Sequence, residues 1–204
     1  MKKADLDYPN LVKLLKSYEP KGRSESASFL NWFLEHIYRL DEIAADDAIC
    51  DEFNDKGIDG IYVDTINDQI HIFQARIRKK PGGTMGDTDL KTFAGSIDQF
   101  SSPEKIDLIL AGNANKELKE IISRVDLKSK ITSGFQITGV FVTNQDKDKN
   151  TSEYLKVNKS IIVYDSDLIS DTFVDVESEG GIAGSFTIAS DQTPLHFPVS
   201  NIAN

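Results

Sequence analysis

Residues 54–80, NDKGIDGIYVDTINDQIHIFQARIRKK, place an acid, an amide and a cation where they can act on one another. Two apolar runs, 60–63 and 70–77, are separated by the turn-prone pair Asn67-Asp68, a pattern that predicts two adjacent strands joined by a hairpin. Asp59 precedes the first run and Gln74-Ala75-Arg76 lies within the second, so the acid falls beside the amide and the cation across neighbouring strands. Period-two alternation sends Gln74, Arg76 and Arg78 to one face and Phe73, Ala75 and Ile77 to the other. Polar groups meeting in mid-sheet are costly unless they pair, hold water or bind a metal. Those three states are the chemistry open to this stretch.

The flanking sequence supplies the elements that must hold it. Residues 8–18 carry apolar positions at helical spacing with Pro9 in the first turn, which predicts a short helix ended by Pro20-Lys21-Gly22. Ser24 then caps a second helix running to Leu40, its apolar face made by Phe29, Leu30, Phe33, Ile37 and Leu40. Glu25 lies in its first turn, at the positive end of the helix. Glu35 reads as a solvated residue further along. Residues 41–53 are acidic and predict a short helix or a turn. After a glycine-rich connection, 87–100 has helical spacing with Lys91 on its polar side, and Asp87-Thr88-Asp89 reads as a helix cap. Residues 105–111 fit a strand or a helix, and 115–125 a helix. The β-branched and aromatic stretches 136–143 and 160–164 predict buried strands. A helical turn at 153–157 and a helix begun by Asp165 complete the pattern. Helices, paired strands, helices, strand, short helix, strand and helix in that order predict a mixed α/β layer fold. Three segments follow: an amino-terminal helix (1–22), a main domain (23–175) and a glycine-rich extension or the start of a further domain (176–204), with a strand expected at 185–189.

Composition bounds what such a domain does. The chain has 204 residues, 39% of them hydrophobic, enough for a real core. A formal net charge of −10 argues against coating nucleic acid or anionic membrane by bulk electrostatics, but an acidic metal-dependent site is compatible with it. Cys50 is the single cysteine, which excludes an intrachain disulfide and a cysteine-based zinc cluster. The first residues lack the apolar core of a signal peptide and no run reaches membrane-spanning length, so a reducing cytoplasm is the expected compartment. No G-x-G-x-x-G, Walker-type loop or G-x-S-x-G elbow occurs.

Glu25 in an early helix, NDKGIDGIYVD opening a strand and IFQAR on the next resemble the PD-(D/E)xK nuclease superfamily, in the Mrr-like variant where glutamine replaces the second acid. GVFVTN at 139–144 and IIVYDSDLI at 161–169 resemble that family's later strands. The wording ESASFLNWFLE, DKGIDGIYVD and IHIFQAR is closest to the amino-terminal region of abortive-infection phage-resistance (AIPR) proteins. The resemblance covers roughly residues 20–175. It implies a restriction-endonuclease-like core, a central mixed sheet flanked by helices, and a metal-dependent DNA endonuclease domain of a prokaryotic defence protein. Hydrolysing a phosphodiester requires charge neutralisation at the phosphate and a water poised for in-line attack, both supplied by oxygen-ligated Mg²⁺ or Mn²⁺. On this reading Glu25, Asp59, Gln74 and the Ala75 carbonyl are the metal ligands, and Arg76 stands where the family has its catalytic lysine. Arg78, Lys79, Lys80 and Lys91 would steer substrate phosphates.

The sequence departs from the family at that last position, reading Q-A-R and not Q-x-K. Arginine stabilises negative charge but stays protonated, so it cannot act as a general base. A catalytically inactive nuclease-like domain, used for nucleic-acid binding or protein assembly, is therefore the alternative. A homodimer and an additional carboxy-terminal domain of the same protein are both compatible with the sequence. Two geometric expectations follow: that Glu25, Asp59 and Gln74 converge on one cation, and that Arg76 lies beside the Asp59 carboxylate.

Overall fold

The computed structural model describes residues 1–18, 22–50, 53–80 and 82–174, together with two strands beyond them. Its contacts divide the chain into Met1–Phe173 and Val174–Asn204. The first unit is an α/β domain in which a mixed four-stranded sheet is flanked by helices. Its strands are β1 (Gly60–Asp64), β2 (Gln69–Arg76), β4 (Gln136–Thr143) and β6 (Ile161–Tyr164), adjacent in that order. β1 and β2 are antiparallel, whereas β4 and β6 run parallel to β2. The Asp64 carboxylate closes the hairpin by accepting the N–H groups of Ile66 (2.9 Å) and Asn67 (3.2 Å), while Asp68 takes up the positive φ of 52°. A two-stranded pair, β3 (Thr84–Met85) with β5 (Asp146–Lys147), lies outside the main sheet.

Alternation along β2 builds two cores. Ile70 and Ile72 enter one with Phe141 and Val163, while Phe73 and Ala75 enter the other with Val140 and Val142. The first core is covered by α4 (Asp87–Asp98), α5 (Pro103–Ala111), α6 (Lys116–Arg124) and α7 (Leu127–Thr132). The second is covered by α1 (Tyr8–Leu14), α2 (Glu25–His36) and α9 (Ser166–Thr172), with α3 (Glu42–Asp47) contributing Ala45. Residues 105–111 are thus helical, and the helix suggested at 153–157 is the longer α8 (Lys149–Val157). The helix expected to reach Leu40 stops at His36, where the chain turns through Ile37 towards the positive φ of Arg39. Ser24 caps it as expected, accepting the Ala27 N–H at 3.1 Å.

α2 is buried almost all round, with Phe29, Leu30, Trp32, Phe33 and Leu34 each at most 1% exposed. Trp32 stacks on Phe29 and on Phe173, the residue that ends α9. On the opposite face α4 meets the sheet at Gly139, where an added Cβ would lie 3.0 Å from Phe93 and collide with Ile97. Glycine there lets the helix approach β4 closely. In the second unit β7 (Phe186–Ala189) pairs antiparallel with β8 (Pro194–Phe197). The strand expected at 185–189 corresponds to β7, apart from Ser185, which lies outside the described residues.

Candidate functional site

The site is built where β1 begins to separate from β2. Gly60 is the partner of Phe73, so Asp59 stands at the register position facing Gln74. Its main-chain N–H donates to the Phe73 carbonyl (2.8 Å), and its carboxylate Oδ2 accepts the Ala75 N–H (2.6 Å). Side chain and backbone of one residue therefore grip β2 on both sides of Gln74. A strand N–H lies in the plane of the sheet, so the Asp59 carboxylate occupies that plane, in the place a further β1 peptide would have taken. It is 9% exposed and receives a charge-assisted hydrogen bond from the peptide. Because a strand residue's C=O projects to the same edge as its N–H, the Ala75 carbonyl shares this edge with Asp59. Gln74, half-buried, has no side-chain hydrogen bond among the described residues and faces the α4 layer, as the alternation requires.

Arg76 is engaged elsewhere than expected. Its guanidinium pairs with Asp89, in the first turn of α4, and not with Asp59. Arg78 binds the second oxygen of the same carboxylate at 2.6 Å. The side chain of Asp89 is 18% exposed, against 41% for Arg76 and 44% for Arg78, so one sheltered acid holds two half-open cations. Asp89 is not the helix cap that its position suggested. Gly86 occupies the N-cap, and Asp89 reaches sideways to β2 because Arg76 and Arg78 share the face against which α4 packs. Alternation identified that face; the identity of the partner depended on where α4 docks.

Glu25 lies with the other layer. Its Oε1 accepts the Tyr8 hydroxyl at 2.8 Å, and Oε2 pairs with Lys79 at 3.0 Å. The Tyr8 hydroxyl, and after it Lys79, holds the Glu25 carboxyl below its ordinary value of 4.5. Lys79 also sits 5.1 Å over the Tyr8 ring, so the three residues form one exposed cluster. Glu25 belongs to α2 on the Phe73 and Ala75 face, while Gln74 and Arg76 face α4; the expected grouping of Glu25 with Gln74 is replaced by two clusters on opposite layers, with Asp59 in the sheet plane. Lys91 is tied to Asp87 one turn back on α4 at 2.7 Å and is 60% exposed. Glu35 accepts the Tyr18 hydroxyl at 2.7 Å, so it is a bonded residue and not merely a solvated one. His71 packs half-buried against Tyr38 and Phe73.

Sequence reasoning passed over Asn144. Its side chain accepts the Arg78 N–H at 2.8 Å and donates to the carbonyls of Arg78 (3.1 Å) and Leu6 (3.2 Å). This 9% exposed amide fixes the basic segment 78–80 as it leaves β2. A polar residue closing the buried run GVFVT was the available signal.

Among the described residues no three His, Cys, Asp or Glu side chains gather to hold a metal. A cation at this edge would instead meet one carboxylate, one side-chain amide and one main-chain carbonyl, all hard oxygen donors of the kind Mg²⁺ and Mn²⁺ accept. No helix of the described residues is long and apolar enough to cross a membrane. Comparison of the chain with protein-family models, curated proteins and solved structures returns no match.

Proposed function

We propose that Met1–Phe173 is a nuclease domain of the PD-(D/E)xK class, with a restriction-endonuclease-like core, hydrolysing phosphodiester bonds in DNA. More particularly, we place it with the amino-terminal domains of the abortive-infection phage-resistance proteins that its sequence resembles. One observation carries the reading: the Asp59 carboxylate is locked onto the Ala75 peptide directly across from Gln74. The antiparallel β1–β2 hairpin, followed by parallel β4 and β6 at the two stretches that resemble the family's later strands, supports it.

Asp59, Gln74 and the Ala75 carbonyl would hold Mg²⁺ or Mn²⁺, which when bound supplies charge neutralisation at the scissile phosphate and a more acidic water. The protein's own part is positional. The Ala75 N–H orients the Asp59 carboxylate, and Asp59 in turn fixes the β2 backbone that presents Gln74. Arg76 and Arg78 offer fixed positive charge on the same face as Gln74, suited to developing negative charge on phosphate oxygens.

A second reading is favoured by the Asp89 pairing. With Arg76 held by Asp89 and unable to lose a proton, the domain would bind nucleic acid without cutting it. Incubating plasmid and single-stranded DNA with the wild-type chain and with Arg76→Lys, in Mg²⁺ or Mn²⁺, separates the two. Cleavage by either protein, lost on Asp59→Ala, supports the nuclease. Binding without cleavage by both supports the inactive module.

A further inference from the structure

Beyond the carboxyl ends of β2, β4 and β6, where open α/β sheets commonly take their ligands, lies a cleft of about 120 Å³. At roughly 30 Å³ per water molecule this is room for a few waters or one tetrahedral oxyanion. Its walls differ in how far their charges are spent. On one wall Lys3 bridges Asp146 and Asp167, and Asp146 also takes the Ser166 hydroxyl, so the Lys3 cation is fully engaged within the protein and that wall stays net acidic. On the other wall the Lys80 ammonium and the Gln145 side-chain amide have no hydrogen-bond partner among the described residues, and Arg78 spends only one of its guanidinium nitrogens on Asp89.

The donor wall is held in place. Asn144 clips both backbone groups of Arg78, which fixes where Arg78 and Lys80 emerge from β2. Gln145, the next residue, lies against Gly83, where a Cβ would sit 2.5 Å from its amide nitrogen. Among the described residues, the carboxylate lining the cleft outside the Lys3 wall is that of Asp7, which is exposed and so screened by solvent. Two cationic donors and a neutral amide converging on one small space are a set suited to an oxyanion.

We infer that this cleft binds a backbone phosphate of the nucleic acid, with Lys80, Gln145 and Arg78 as its donors. The inference rests on the nuclease-class reading. Arg78 and Lys80 follow Arg76 along the same chain direction, two and four residues on, so a nucleic-acid strand lying over Gln74 and Arg76 and continuing in that direction would bring a further phosphate to the cleft.

The test is binding of a fluorescent duplex oligonucleotide to the full chain over a range of salt, without divalent cation, alongside competition by inorganic phosphate. Lys80→Ala is expected to weaken binding about fivefold and lower the salt slope by about 1. Gln145→Leu should weaken it without changing the slope, because no charge is lost, and Asp7→Asn should tighten it. All three positions have a surface-facing role, and an unchanged melting temperature verifies that folding is intact. Wild-type affinity and slope in both Lys80→Ala and Gln145→Leu overturn the proposal. Phosphate binding that these substitutions abolish, with oligonucleotide binding untouched, also overturns it, because the cleft would then serve a free anion. Metal-dependent cleavage with a dispensable cleft leaves the nuclease reading standing and removes this one. A cleft-dependent affinity with no cleavage by wild type or Arg76→Lys does the reverse.

Discussion

Replacing Asp89 with asparagine removes one negative charge from beneath two guanidiniums while keeping shape and one hydrogen-bond acceptor. The Arg76 and Arg78 pairs both end on this carboxylate, the latter at 2.6 Å. The gross attraction of such a pair near a protein surface is about 4 kcal/mol. Because both arginines are more than 40% exposed, solvent and side-chain entropy reduce the net to the upper part of the surface range, about 0.5–1 kcal/mol each. Asp89→Asn should therefore cost about 1–2 kcal/mol. For a unit of this size that lowers the melting temperature by about 2–8 °C. The same change releases two cations, so binding to a duplex oligonucleotide should tighten and its salt slope steepen by up to about 2, near 0.9 for each phosphate neutralised. Thermal unfolding and oligonucleotide titration on one preparation read both effects. A stability loss with affinity and slope unchanged would refute the idea that Asp89 restrains a phosphate-binding pair, leaving it a structural contact between α4 and β2.

Other outcomes follow from the same geometry. Burial holds the His71 imidazole below its ordinary value of 6.5, with the opposing effect of Asp64 smaller. The unfolded chain then takes up a proton as pH falls below about 6.5 while the folded chain does not, so stability declines towards the lower folded value and levels off beneath it. His71→Gln should flatten that stretch in urea unfolding measured between about pH 7.5 and pH 5. Gly139→Ala drives a methyl group into Phe93 and Ile97 and should destabilise by about 1–3 kcal/mol in the same assay. Asn144→Ala leaves the Arg78 N–H and the carbonyls of Arg78 and Leu6 without their partner; a loss of about 1–3 kcal/mol and faster amide exchange at Arg78 are expected.

How much of this was legible in the sequence depends on how local each feature is. The hairpin, the alternation of Gln74 and Arg76 against Phe73 and Ala75, and the capping of α2 by Ser24 are all set within a few residues, and each was readable. The position of Asp59 beside Gln74 followed from the hairpin register. Its grip on the Ala75 peptide did not, because that depends on β1 losing regular pairing at Gly60, where the chain also bridges to Ile49. The partners of Arg76 and Glu25 were set by tertiary docking. α4 brings Asp89 under one face of β2, and the amino-terminal segment brings Tyr8 to the other, so charge complementarity alone pointed Arg76 towards the wrong acid. The short helix α7 and the β3–β5 pair carry too few periodic residues to register as elements. Residues 51 and 52, within the acidic stretch read as a helix or turn, lie outside the described residues.

The central claim is that Asp59 organises a divalent-cation site at the edge of β2, and Mn²⁺ titration followed by electron paramagnetic resonance tests it most directly. With only one carboxylate among the three donors, a weak site is expected, with a Kd on the order of 10⁻⁴–10⁻³ M. Asp59→Ala should abolish it and Gln74→Leu weaken it. Arg76→Lys should leave it unchanged, since Arg76 is bound to Asp89 and not to the ligand carboxylate. Undiminished Mn²⁺ binding in Asp59→Ala, or a site lost only on substituting Glu25, would contradict the account.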